Sequence, residues 1–287
     1  MYATLDIIEN SKHSGRLIGV HQKLDKAARY LLTKEMGRDA RRFPAIDKIL
    51  YFEGSRGPDG LKAKSPGYDE PEHFIEPNND NGVLRQYILD HQYNLTQALI
   101  KCNHERAAFE AAWMAHAITD GLTPAHHYPY RRVVDELMTD KDYKTLFGHE
   151  IKGIMRGDSI AQAARNNWLY WGAGGVMTKH IAFEYGVAYV IAPIGIKRLL
   201  PKNIKHADFH DIDLEKEFYD SLKRVDALKM YDNFLKSGWS NQMVIDTRRV
   251  LIPEIIRAIT LGWASSIEQA NRAIDKPKGG RKNAKKK

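Results

Sequence analysis

The chain has 287 residues, 43% of them hydrophobic and 28% charged, with a formal net charge of +8 and a single cysteine. This describes a globular protein with a sizeable core, and it excludes an intrachain disulfide and any cysteine-based zinc site. The charge is local: the last twelve residues, KPKGGRKNAKKK, carry seven basic and no acidic side chains, which leaves the rest at about +1.

The N-terminal MYATLDIIENSKHSGRL lacks the apolar core of a signal peptide. In GRLIGVHQKLDKAARYLL, Leu17, Val20, Leu24, Ala27, Ala28 and Leu31 fall at helical spacing. FPAIDKILYF reads as a short helix with Pro44 at a permitted early position. Residues Glu53 to Asp80 break the pattern: the stretch is rich in Gly, Pro, Asp and Asn and has no helical period. A loop this long is uncommon inside a domain, and Phe74 and Ile75 are worth burying, so it is expected to be ordered. NGVLRQYILDHQYNLTQALIK and ERAAFEAAWMAHAITD form two long helices, joined by the short CNHE and therefore antiparallel. SIAQAARNNWLYW, KHIAFEYGVAYVI and LEKEFYDSLKRVDALKMYDNFLK continue the helical pattern, and the aromatics of WLYWGAGG (Trp168–Gly175) read as core, with an apolar acyl-binding wall as the alternative. The final helix, MVIDTRRVLIPEIIRAITLGWASSIEQANRAI, should start or kink at Pro253.

No alternation calls for a sheet, so the expected fold is an all-α multi-helix bundle. Residues 1–272 form one domain, with a helical excursion over about 128–170, and 273–287 form a basic disordered tail. The tail suits weak contact with nucleic acid or an anionic surface, or simply solubility. The longest apolar stretch, Gly186–Ile196, is too short to span a bilayer and contains Pro193. With one cysteine and no signal segment, the expected setting is cytoplasmic.

The stretch HAITDGLTPAH places His116, Asp120 and His126 within eleven residues. His116 and Asp120 are four apart and share one helix face. Gly121 and Pro124 mark the helix break, beyond which His126 follows. His180 and Glu184, in KHIAFE, repeat the four-residue spacing. A surface His/acid pair is worth only tenths of a kcal/mol, but the flanking segments are apolar, and charge among residues that want burial needs a partner or a metal. Imidazole and carboxylate together suit zinc in hydrolytic sites. His127 is the alternative to His126; His91 and His104 lack an acid at ligand spacing and read as structural.

NHERAAFEAAWMAHAITDGLTPAHHYP resembles the core motif of the zinc-dependent phospholipase C family, which reads H-x3-D, a proline, then His. That family includes bacterial phosphatidylcholine-hydrolysing enzymes and the clostridial alpha-toxin catalytic domain, and the S1/P1 nucleases share its fold. GSRGPDG followed by EHFIEP resembles its ligand-bearing loop, HIAFE its final H-x3-E, and HQKLDKAARYLL its first helix. The resemblance covers roughly residues 14–190. It implies an all-helical protein whose cleft holds two zinc ions, with a third as a further possibility. One ion would be held by Asp59, His73, His116 and Asp120, and a second by His126, His180 and Glu184. Asp120 would bridge to the third with His21, for which His13 is the weaker substitute. Asp59 would also act as general base. The implied activity is phosphodiester hydrolysis of phospholipase C type on a phospholipid or another phosphodiester. The alternatives are an S1/P1-like nuclease and a non-catalytic, metal-stabilised helical interaction protein.

Overall fold

The computed structural model describes residues 19–53, 56–60, 73–78, 82–129, 132–133, 136, 155, 157–204 and 206–275. The helices are α1 (Val20–Met36), α2 (Ile46–Tyr51), α3 (Val83–Ile100), α4 (His104–Gly121), α5 (Ile160–Trp171), α6 (Val176–Ile191), α7 (Leu214–Asp226), α8 (Met230–Ser237), α9 (Asn241–Asp246) and α10 (Ile252–Asp275). There is no strand among the described residues. The all-α expectation holds. Of the tail expected over 273–287, residues 273–275 continue α10 and 276–287 lie outside the described residues, as do residues 137–154 of the excursion, residues 61–72 of the long loop and His13.

Helix α10 is buried over most of its circumference, from Ile252 and Ile255 through Trp263 to Ala270, with Glu254, Arg257, Glu268 and Arg272 along one polar edge, so its wide apolar face lies inside. It packs against α1, α3, α4 and α7. Its Trp263 indole donates to the Ala111 carbonyl of α4 at 3.0 Å, and Gln92 of α3 donates to its Ser265 at 2.6 Å. Both bonds satisfy polar groups that would be costly to bury alone. The run Asn241–Asp275 is long and apolar enough to cross a membrane, but 78% of its apolar window is buried within the fold, as expected of a core helix. Pro253 acts as anticipated. It cannot donate to the carbonyl one turn back, and its ring presses on that turn. The chain responds with a π turn at Thr247–Leu251 just upstream.

Helix α4 starts at Asn103, whose side chain accepts from Arg106 N, a standard N-cap. Its alanines let it pack closely between neighbours, and α3 and α4 pack on each other as the short link requires. It runs through Gly121, so Gly121 does not break it. A Cβ there would lie 2.8 Å from Phe218 and 2.9 Å from Leu84; this glycine serves close packing. The break comes at Leu122 and Thr123, followed by a 3-10 turn, Pro124–His127. The buried carboxylate of Glu110 pairs with His91 of α3 across the two helices at 2.5 Å.

Three local readings change. Pro44 precedes α2, and its carbonyl accepts from Arg29 at 3.0 Å. The long run after Leu214 is cut in two by Lys229, whose left-handed φ of 48° ends any helix. The aromatics of Trp168–Gly175 are not all core: Tyr170 is buried, but Trp168 and Trp171 face solvent. The period places apolar residues on a stripe, and nothing among the described residues covers that stripe.

Helix α6 is clamped at both levels. Lys23 of α1 is buried and donates its Nζ to the carbonyls of Ile191 and Ala192 at 2.7 and 2.9 Å. A cation there adds a donor at the last carbonyls of the helix and meets the negative end of the dipole. At Gly186 the Trp239 ring passes so close that a Cβ would lie 1.9 Å from it, and the same ring stacks on Phe183 at 5.4 Å. Gly186→Ala is therefore expected to cost about 1–3 kcal/mol by overpacking, measured as a fall in Tm; an unchanged Tm would mean that Trp239 does not sit against this glycine.

Candidate metal centre

All eight side chains singled out from the sequence are buried and meet in one place. Helix α1 brings His21 in its first turn, α4 brings His116 and Asp120, and α6 brings His180 and Glu184. His126 comes from the 3-10 turn after α4, and Asp59 and His73 from the two described ends of the long loop. Three groups have ligand atoms within 4.8 Å of one another: His21, His116 and Asp120; Asp59, His73 and His116; and His126, His180 and Glu184.

Asp120 stands at the middle. Its Oδ2 lies 2.5 Å from His73 Nδ1 and 3.2 Å from His116 Nε2; its Oδ1 lies 3.6 Å from His21 Nε2 and 3.9 Å from His126 Nε2. The two oxygens of one carboxylate thus face different groups. Of the expected set of Asp59, His73, His116 and Asp120, the first three form one group, while Asp120 is grouped with His21 and His116 although its Oδ2 also reaches His73, and His116 is common to both groups. The His21 and His116 rings stack at 4.1 Å.

The third group shows how backbone sets chemistry. His126 Nδ1 sits 2.6 Å from the His73 carbonyl. A carbonyl only accepts, so Nδ1 carries a hydrogen and Nε2 is the nitrogen turned toward Glu184 and Asp120. That Nε2 and His180 Nε2 each lie 3.0 Å from Glu184 Oε1. The Ile75 amide in turn donates to the His126 carbonyl at 3.1 Å, so loop and turn hold each other, and Ile75 is buried as expected. His127, the alternative candidate, donates its Nε2–H to the Gly121 carbonyl at 2.9 Å instead, and burial pushes it down to about 4.

The ionisation pattern tests whether a cation fits. Burial lowers His116, but the facing Asp120 and Glu53 outweigh it and hold the ring well above its ordinary value. Burial raises Asp120, but His126 and His116 outweigh it and keep the carboxyl well below the usual range. Glu184 is likewise held low, against burial, by His180 and His126. His21, buried and stacked on His116, is pushed down to about 3 and stays neutral. The carboxylates thus demand positive charge in a dry site, and without a metal they take it as protons on imidazole. A cation satisfies the same demand and leaves each imidazole neutral, which is the ligating form. An imidazole and carboxylate set with no thiolate suits zinc; the only cysteine, Cys102, is free and exposed.

Two acids escaped the sequence reading. Glu53, at the end of α2, is buried with Oε2 3.4 Å from His116 Nδ1, on the far side of the ring from Asp120. Asp25 is buried beside it; burial and the Glu53 charge push Asp25 well above the usual range. Asp25 had a signal, since it follows His21 by four residues, the same device as His116/Asp120. Glu53 had none.

Compared with family models, curated proteins and solved structures, the chain matches none.

Two outcomes follow from the acids. A carboxylate that orients the far nitrogen of a ligating imidazole typically controls metal affinity 10–100-fold. Glu53→Gln is therefore expected to weaken metal binding by about that factor in a chelator competition titration, and an unaltered affinity would remove Glu53 from this role. Asp25 has a folded pKa above the 3.8 of the free group. The native state then holds the extra proton, and stability falls as pH rises through the folded pKa. Metal-free Asp25→Asn should be more stable than the metal-free parent at neutral pH, with no gain below about pH 3.8; a less stable variant at neutral pH would show Asp25 ionised and paired.

Proposed function

We propose that the chain is a zinc-dependent phosphoric ester hydrolase of phospholipase C type. The observation that supports this most is the meeting of Asp59, His73, His116, Asp120, His126, His180, Glu184 and His21 in three overlapping buried groups of ligand spacing. The same residues are those that match the phospholipase C motif, in the same chain order. His126, His180 and Glu184 would hold one zinc ion and Asp59, His73, His116 and Asp120 another, with His21 and Asp120 available to a third. Bound ions would supply Lewis acidity toward a phosphoryl oxygen and ease deprotonation of water.

The chain's own residues account for the rest. Asp59 is the general base: its carboxylate takes a proton from the attacking water as oxygen bonds to phosphorus. The phosphorus–oxygen bond to the leaving alcohol then breaks, releasing a phosphorylated headgroup. Asp120, with an oxygen toward each side, fixes the spacing of the groups around the phosphate. Buried apolar neighbours exclude bulk water, which strengthens these interactions. We read the setting as cytoplasmic because the one cysteine is free and exposed.

Metal analysis of protein purified without added zinc is the first test. About two zinc ions per chain are expected, and fewer than about one would count against the reading. Asp120→Asn should abolish release of phosphorylated headgroup from phosphatidylcholine vesicles. Activity on single-stranded DNA but not on vesicles would assign the site to a nuclease instead, and full metal with neither activity would make the groups structural.

A further inference from the structure

Helix α6 has two unlike faces. His180, Glu184, Val187 and Ile191 point into the protein. Tyr185 and Tyr189, four apart on the opposite side, point to solvent, with Tyr189 84% exposed. Helix α5 packs beside α6 and adds its own exposed stripe: Ile160 at 91%, Trp168 at 69%, and Leu169 and Trp171. On a helix, Ile160, Trp168 and Trp171 fall on one side. Each of these two packed helices thus carries an exposed aromatic side, and exposed apolar surface of this kind marks an interaction site.

The charge of the same segment identifies the partner. The whole chain carries 36 acidic residues, yet between Ser159 and Ile204 the only one is Glu184, and it is buried against His126 and His180. Arg165 is exposed on α5, Lys179 lies half-buried on α6, and Lys197 and Arg198 follow just beyond. Tryptophan and tyrosine are the side chains that settle at a membrane–water boundary, and arginine and lysine meet anionic headgroups there. A second copy of this chain is a poorer fit. A two-fold interface would bring several cations against their own images with only Asp158, at the head of α5, to pair them.

We infer that the outer face of α5 and α6 docks on an anionic phospholipid bilayer. The docked wall is the outside of the helix whose inner face carries His180 and Glu184. The inference stands apart from the hydrolytic reading, because a surface can hold a bilayer whether or not the buried groups act on it.

The test is co-sedimentation of the full chain with vesicles of phosphatidylcholine, alone or with a minority of phosphatidylglycerol. Asp59→Asn protein is run alongside so that vesicle hydrolysis does not interfere. Binding is expected in both proteins, stronger with phosphatidylglycerol and weakened by salt. The exposed triple variant Trp168→Ala/Trp171→Ala/Tyr189→Ala should bind at least about tenfold more weakly with unchanged helical circular dichroism. Arg165→Glu/Lys179→Glu should lose the preference for phosphatidylglycerol. Three results would overturn the inference. The first is a parent that sediments with neither vesicle. The second is a triple variant that binds as the parent does, which would assign binding to the basic C-terminal residues. The third is a parent dimer in light scattering that the triple variant turns into a monomer, which would assign the surface to a second copy. Loss of headgroup release with vesicle binding intact would count only against the hydrolytic reading.

Discussion

Several carboxylates and imidazoles share one dry interior, and each charge must be answered by another. An unpaired buried charge costs several kcal/mol even after relaxation, so the fold can keep this cluster only if it delivers the partners together. Asp120 carries the constraint. Its two oxygens face His73 and His116 on one side and His21 and His126 on the other. The contributing segments are far apart in sequence, and the packing of the helices is what closes the set.

The scaffold matches that demand. Buried α10 gives α1, α3, α4 and α7 a common apolar surface, so α4 can present polar ligands at one end while its alanines pack elsewhere. Lys23 ties α1 to the end of α6, and the loop–turn pair of Ile75 and His126 closes the remaining side. Behind the first ring of side chains, Glu53 faces the far nitrogen of His116, and Asp25 is buried beside it with its carboxyl pushed toward the protonated form. An excess of buried carboxylate over fixed cation is the electrostatic ground for proposing a bound metal.

Helix α6 also shows how one element can serve two environments. Its polar inner pair belongs to the candidate metal groups and its outer tyrosines to the surface proposed to meet lipid. Because the helix turns through 3.6 residues, His180 and Glu184 stay clear of Tyr185 and Tyr189 without any irregularity.

Local periodicity carries a great deal here. It was enough for an all-α fold, for most helices, for the pairs His116/Asp120 and His180/Glu184, and for the effect of Pro253, since each is a matter of spacing along a few turns. Asp25 lay within the same logic, four residues after His21. Other features depend on distant contacts and leave no local trace. Glu53 matters because α2 ends beside His116; His126 is distinguished from His127 by the His73 and Gly121 carbonyls; Gly121 is required by Phe218 and Leu84 rather than by the helix end. Trp168 and Trp171 obey the helical period yet face solvent. Periodicity says that apolar residues share a side, and only the packing of the other helices decides whether that side is covered.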